Sequence, residues 1–145
     1  MTIKQISVAE TIPIRHAVLR KNKPIETCYF TGDYLESTFH LGVFLDNNLA
    51  GICTLVNNEK VIVQKLYAYQ LRGMAILDQF QGNKLGKSLM EFLPEFLKTN
   101  KILNIWCNAR VSAVDFYQKF GFKAYGEPFE IPYVGPHQLM LKSYE

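Results

Sequence analysis

ILDQFQGNKLGKSL, residues 76–89, joins the end of one apolar run to the start of another. The first run closes at Leu77. A polar turn follows with Gln81, Gly82, Asn83, Lys84 and Gly86. A helical apolar pattern then begins at Leu85 and Leu89. Strand, glycine-bearing turn and helix bring free backbone N–H groups to one point. The first four N–H groups of a helix have no intrahelical partner, and the positive end of its dipole lies there. Such a point binds phosphate. Lys84 and Lys87 add positive charge. The bland alternative is an ordinary left-handed turn before a surface helix.

Working outward, the chain of 145 residues has the size of one domain. Its 48% hydrophobic and 20% charged content is that of a globular protein. The net charge of +3 comes from scattered lysines and arginines, so nucleic acid is not an expected partner. Cys28, Cys53 and Cys107 form no Cys-x-x-Cys or Cys/His cluster. They read as buried thiols of a reducing compartment, and no metal is expected. The start, MTIKQISVAE, lacks the apolar core of a signal peptide, and no run is long enough to span a membrane. A cytoplasmic protein is the expectation.

Upstream, residues 3–7 alternate like a strand. A helix is expected over 9–20, with Ser7 and Glu10 as a capping box. Pro13 argues for a start nearer Thr11, and Arg15 and Arg20 are expected to solvate or pair. Residues 21–37 read as loop plus short helix. Residues 38–56 read as a hairpin turning at Asp46-Asn47-Asn48, with a further turn at Asn57–Lys60. Tyr67–Leu77 reads as a strand with a bulge at Gly73.

Downstream, a helix is expected over 84–98. Leu85, Leu89, Phe92 and Phe96 form its apolar face, and Pro94 implies a kink or break near Met90–Phe92. Residues 102–107 read as a covered central strand. Ser112 and Asp115 suggest a second capping box, for a helix closing at Gly121. Residues 122–126 read as a strand, 126–136 as a loop and 137–142 as the last strand. The order fits an α/β (α+β) sandwich with a mixed, mostly antiparallel sheet of about six or seven strands and about four helices.

Two stretches carry a resemblance. Residues 76–89 resemble the acetyl-CoA pyrophosphate loop of the GNAT N-acetyltransferase superfamily, written Gln/Arg-x-x-Gly-x-Gly/Ala. Gln81 and Gly86 match, and Lys84 stands where the pattern has its first glycine. A helical backbone at Lys84 would make that departure tolerable, because it needs no positive φ. NARVSAVDFYQKFGF, residues 108–122, resembles the superfamily's Ala-x-x-Phe-Tyr-x-x-x-Gly-Phe helix. Ala113, Phe116, Tyr117, Gly121 and Phe122 fall in register, while Arg110 stands where asparagine is frequent. The tail FGFKAYGEPFEIPYVGPHQLMLK is also similar to the ends of a subgroup of small bacterial acetyltransferases.

The resemblance implies a single GNAT domain over residues 1–145, with acetyl-CoA as co-substrate and an amine as acceptor. It implies that Gln81, Gly82, Asn83, Lys84, Leu85, Gly86, Lys87 and Ser88 hold the pyrophosphate. The pantetheine arm would lie along Met74, Ala75, Ile76 and Leu77, in a notch where two parallel strands splay. Tyr117 would protonate the departing thiolate; its alternative is a core tyrosine. No Cys/His pair suggests an acyl-enzyme, so the amine would attack directly. Tyr29, Phe30, Tyr34, Glu36, His40, Glu127, Glu130 and His137 are candidates to line the acceptor site or take its proton. Homodimers are common in the superfamily, and no interface is legible in this chain. A second reading is an acyl-CoA sensor or interaction module without turnover.

Overall fold

Ser7 fixes the first helix. Its hydroxyl accepts from the Glu10 amide at 3.2 Å, and the Glu10 carboxylate accepts from the Ser7 amide at 2.9 Å. That capping box, which also depresses the Glu10 pKa, starts α1 at Val8 (Val8–Ile14), earlier than Pro13 suggests. Pro13 lies inside the helix on its exposed side, where a missing N–H is easily tolerated. The helix then widens into a π-helical turn, Arg15–Leu19, closed by Arg20 N–H donating to the Arg15 carbonyl at 2.9 Å.

The computed structural model describes residues 1–145. It has eight strands and three α-helices, with short 3-10 turns between them. The strands are β1 (Thr2–Gln5), β2 (Phe39–Leu45), β3 (Asn48–Ile62), β4 (Lys65–Ile76), β5 (Asn104–Arg110), β6 (Lys123–Ala124), β7 (Phe129–Ile131) and β8 (Gly135–Ser143). The other two helices are α2 (Leu85–Thr99) and α3 (Val114–Lys119). The sheet order is β1-β2-β3-β4-β5-β8-β6, with β7 on β8. β4 and β5 pair in parallel at Tyr69↔Ile105 and Gln70↔Trp106; β1–β2, β2–β3, β5–β8, β6–β8 and β7–β8 are antiparallel. The strand beyond the six or seven expected is β7, hidden in the 126–136 segment. The expected short second helix is only a 3-10 turn, Ile25–Cys28.

Contacts divide the chain into two compact units, residues 1–57 with 71–93 and residues 58–70 with 94–145. In the first, Ile14, Ile52 and Ala75 form a core with Ile6, Val18, Leu19, Leu49 and Leu77 around it. In the second, Ile62, Tyr67 and Trp106 pack with Leu139 and Leu141.

Four local expectations are corrected. Asn57–Lys60 is not a turn, because β3 runs on to Ile62. The Asn58 amide donates to Gln70 Oε1 and the Asn58 carbonyl accepts from the Trp106 indole, so these polar residues are satisfied in extended chain. The reversal falls at Val63-Gln64, both with positive φ, the geometry that matches the twist of paired strands. Pro94 does not break α2, since it too lies on the exposed side. The buried face of α2 is Leu85, Leu89, Met90, Leu93 and Leu97; Phe92 and Phe96 are only half-buried. Ser112 caps nothing, because Val111–Ala113 winds as a 3-10 turn and Ala113 takes the N-cap position.

The first unit encloses an ion pair. Arg15 is fully buried and grips Asp33 with both terminal nitrogens, Nη1 to Oδ2 at 2.6 Å and Nη2 to Oδ1 at 3.0 Å. Its remaining hydrogen bonds go to the Cys28 carbonyl at 2.9 Å and Thr54 Oγ1 at 3.0 Å. Breaking such a pair strands a buried charge. Asp33→Ala is expected to lower stability by about 3–5 kcal/mol, while replacing both partners by apolar residues loses much less. Urea unfolding of the variants checks this.

Candidate active site

The turn before α2 is built by short-range hydrogen bonds. Phe80 N–H donates to the Leu77 carbonyl at 2.9 Å, and Gln81 N–H to Asp78 at 3.2 Å. The Asn83 side-chain amide donates to the Phe80 carbonyl at 2.9 Å. These bonds tie residues 77–83 into a reversal that presents Gln81, Gly82, Asn83 and Lys84 to solvent. Gly82 has φ +87°, and no atom lies within 4 Å of the place a Cβ would take. The backbone there can approach a ligand closely.

Lys84 is left-handed, with φ +58°, and does not have the helical backbone that would make the substitution for glycine easy. Its carbonyl accepts the Ser88 N–H at 3.1 Å, so the helical ladder starts from Lys84. The N–H groups of Leu85, Gly86 and Lys87 precede that bond and have no acceptor within the helix. Leu85 is buried and anchors the turn, while Lys87 stays exposed. Donor amides, two ammonium groups and a bare Gly82 fit a diphosphate.

The neighbouring end of β4 has one edge spoken for. Leu77 N–H donates to the Ala50 carbonyl at 2.8 Å. Strand alternation then directs the Ala75 amide to the same side, and those of Met74 and Ile76 to the other. The Ile76 carbonyl receives a long contact from Gln81 Nε2 at 3.5 Å. Gly73, with φ +63°, supplies the irregularity expected in this strand.

Tyr117 is buried on α3. Its ring meets Phe116 and Phe122 edge to face, with centroids 5.2 and 5.4 Å away. Phe122 N–H donates to the Tyr117 carbonyl and Gly121 N–H to that of Gln118, with Gly121 at φ +88°. This Schellman closure fixes the helix end that carries the tyrosine.

The other candidates scatter. His40 is buried and uses both ring nitrogens, at 2.8 Å to Thr54 Oγ1 and 3.0 Å to the Asp33 carbonyl. It thus extends the Arg15–Asp33 network. His137, also buried, holds the Gly135 carbonyl through Nδ1 at 2.8 Å and lies against Phe129. Tyr29, Tyr34, Glu36, Glu127 and Glu130 are exposed. All three cysteines are buried, and burial pushes the Cys53 and Cys107 thiols up to about 12. Such thiols are protonated near neutrality and are poor nucleophiles. No group of three or more His, Cys, Asp and Glu is arranged to hold a metal ion, and no helix is long and apolar enough to cross a membrane.

Sequence reasoning missed Arg72, whose guanidinium stands 5.0 Å from the Phe30 ring centre. A cation in a mid-strand position beside a glycine was the available signal.

Comparison with known proteins agrees with this architecture. Residues 25–135 match the family model described as acetyltransferase (GNAT) domain. An uncharacterized N-acetyltransferase, YitI of Bacillus subtilis (strain 168), is 38% identical over 143 residues, which cover 99% of this chain and 96% of YitI. Among solved structures, an aminoglycoside 6'-N-acetyltransferase complexed with coenzyme A superposes with a TM-score of 0.78 at 11% identity, covering 100% of this chain and 98% of that one. Escherichia coli ElaA gives 0.75 at 18% identity, covering 98% of this chain and 99% of that one. The chain belongs to the GNAT acetyltransferase family and is an acetyltransferase.

Two experiments test the site. Lys84→Gly relieves a left-handed non-glycine residue and is expected to raise stability by about 1 kcal/mol in thermal unfolding. The same change removes a cation and should weaken coenzyme A binding, with a shallower salt dependence in a titration. Native protein should leave Cys53 and Cys107 unmodified by a thiol reagent near neutral pH, and denaturation should release all three thiols.

Proposed function

We propose that the protein transfers an acetyl group from acetyl-CoA to a primary amine of a small molecule or peptide, by direct attack in a ternary complex. The observation that carries this reading is the turn 81–88. It combines a clear approach at Gly82, the free amides of Leu85, Gly86 and Lys87, and the charges of Lys84 and Lys87. Family membership supports it, as does the coenzyme A complex of the aminoglycoside acetyltransferase.

In this reading Gln81 to Ser88 hold the pyrophosphate. The peptide-like arm bonds to the β4 backbone at Met74 and Ile76, a strand-addition mode of recognition. Ala75 and Leu77 contribute side-chain packing, because their amides turn toward Ala50's strand. An amide of β4 polarises the thioester carbonyl, a contribution worth ~3 kcal/mol in other enzymes.

The amine nitrogen attacks the carbonyl carbon and the carbon–sulfur bond breaks. Tyr117 gives its phenolic proton to the leaving thiolate. A free thiol ionises near ~8.5 and a tyrosine near ~10, so this help is mainly positional. The proton lost by the amine goes to water, with the exposed carboxylates Glu36, Glu127 and Glu130 as candidate relays. His40 is committed to the interior, and direct attack suits a protein whose Cys53 and Cys107 thiols are masked.

Incubation with acetyl-CoA and an amine panel, following free thiol, tests the proposal. Tyr117→Phe is expected to lower the rate about tenfold or more with the fold intact by circular dichroism. An unchanged rate removes the tyrosine from the mechanism. Acetyl-CoA binding without thiol release on a broad panel would make the protein a sensor.

A further inference from the structure

Arg72 on β4 is a half-buried guanidinium with much of its hydrogen-bonding capacity unused. Nη1 donates to the Thr31 carbonyl at 3.1 Å, and the group lies over the Phe30 ring, 5.0 Å from its centre. Two further guanidiniums share that ring, Arg15 at 4.0 Å and Arg20 at 5.1 Å. Asp33 is the carboxylate set among them, and it is consumed from within. It accepts two bonds from Arg15 and one from the Phe30 N–H at 2.7 Å. Even so, Arg15 Nε is buried without a hydrogen-bond partner. The cluster is short of acceptors on both its inner and outer sides. Burial lowers the Arg72 pKa, and Arg15 and Arg20 lower it further against the pull of Asp33. An anion arriving at Arg72 would relieve that crowding.

The position of Arg72 says what the anion belongs to. Met74, where the cofactor arm is placed, is two residues along the same strand, at most about 7 Å away. Between them Gly73 carries no side chain, and a Cβ there would stand only 3.4 Å from Phe30 Cε2. A group gripped by Arg72 is therefore within one short molecule's length of the thioester.

Building on the acetyl-transfer reading, we propose that the acceptor amine carries a carboxylate, and that Arg72 over Phe30 is its docking point. A planar guanidinium with free donors matches a carboxylate through two parallel hydrogen bonds. Three guanidiniums on one ring also disfavour a polycationic acceptor of the aminoglycoside kind.

The test compares common L-amino acids with their carboxamides as acceptors, following free thiol, in wild type, Arg72→Gln and Arg72→Lys. Wild type is expected to favour the acids by about tenfold or more in kcat/KM. Arg72→Gln should erase that preference through KM, with coenzyme A affinity unchanged, and Arg72→Lys should restore part of it. A wild type that prefers the carboxamides overturns the proposal. So does an Arg72→Gln variant that slows acid and amide equally, which marks a purely structural residue. If no acceptor releases thiol, acetyl transfer fails as a reading, and calorimetric titration of the same acids and amides into the coenzyme A complex still decides the docking point. Acids that bind wild type but not Arg72→Gln support it; equal binding of acids and amides refutes it.

Discussion

A guanidinium without solvent must find every acceptor inside the protein, and Arg15 imposes that demand on the first unit. Its acceptors come from an irregular segment, through Cys28 and Asp33, and from a strand, through Thr54. His40 then links Thr54 back to Asp33. The segment between α1 and β2 has little regular structure of its own and is held by this pair. Burying an ion pair adds little net stability, because desolvation offsets the attraction. What it does is penalise any other placement of residues 28–33. Phe30 and Thr31 are thereby held against Arg72.

The turn before α2 rests on a different device. α2 buries an unbroken leucine face from Leu85 to Leu97, which fixes the helix start in space. The turn itself stays exposed and is set by its own short hydrogen bonds. Rigid support behind and bare backbone in front is what anion binding by amides requires, since donors that must reorganise give back much of their worth.

Much of this was legible from short-range pattern. Ser7 and Glu10 are three residues apart, and their capping box depends on nothing distant. Gly121 closes α3 as its position after the apolar face implies. Where sequence misled, longer-range or competing interactions decided. Asn58 looks like a turn residue, yet Gln70 and Trp106 satisfy it in extended chain. Ser112 has the spacing of a cap, yet the chain tightens into a 3-10 turn around it. Pro94 is tolerated because it faces solvent. Lys84 adopts a left-handed conformation that glycine would favour, which identity alone could not tell. The Arg15–Asp33 pair was out of reach because its partners lie 18 residues apart with an irregular segment between them. Arg15 on an otherwise buried helix face, beside Thr11, Ile12 and Ile14, was the one hint.

The widened turn at Arg15–Leu19 makes this helix sensitive to length. It holds one residue more than an α-helical turn, and each residue of an α-helix rotates the chain by about 100°. Deleting a single residue there would rewind the backbone into regular helix and shift Val18 and Leu19 against the core of the first unit. It would also swing Arg20 a quarter-turn or more around the axis, away from the Phe30 ring. Buried Arg15 opens this turn and cannot be exchanged freely, and an insertion or deletion within it would re-aim Arg20, one of the cations over Phe30.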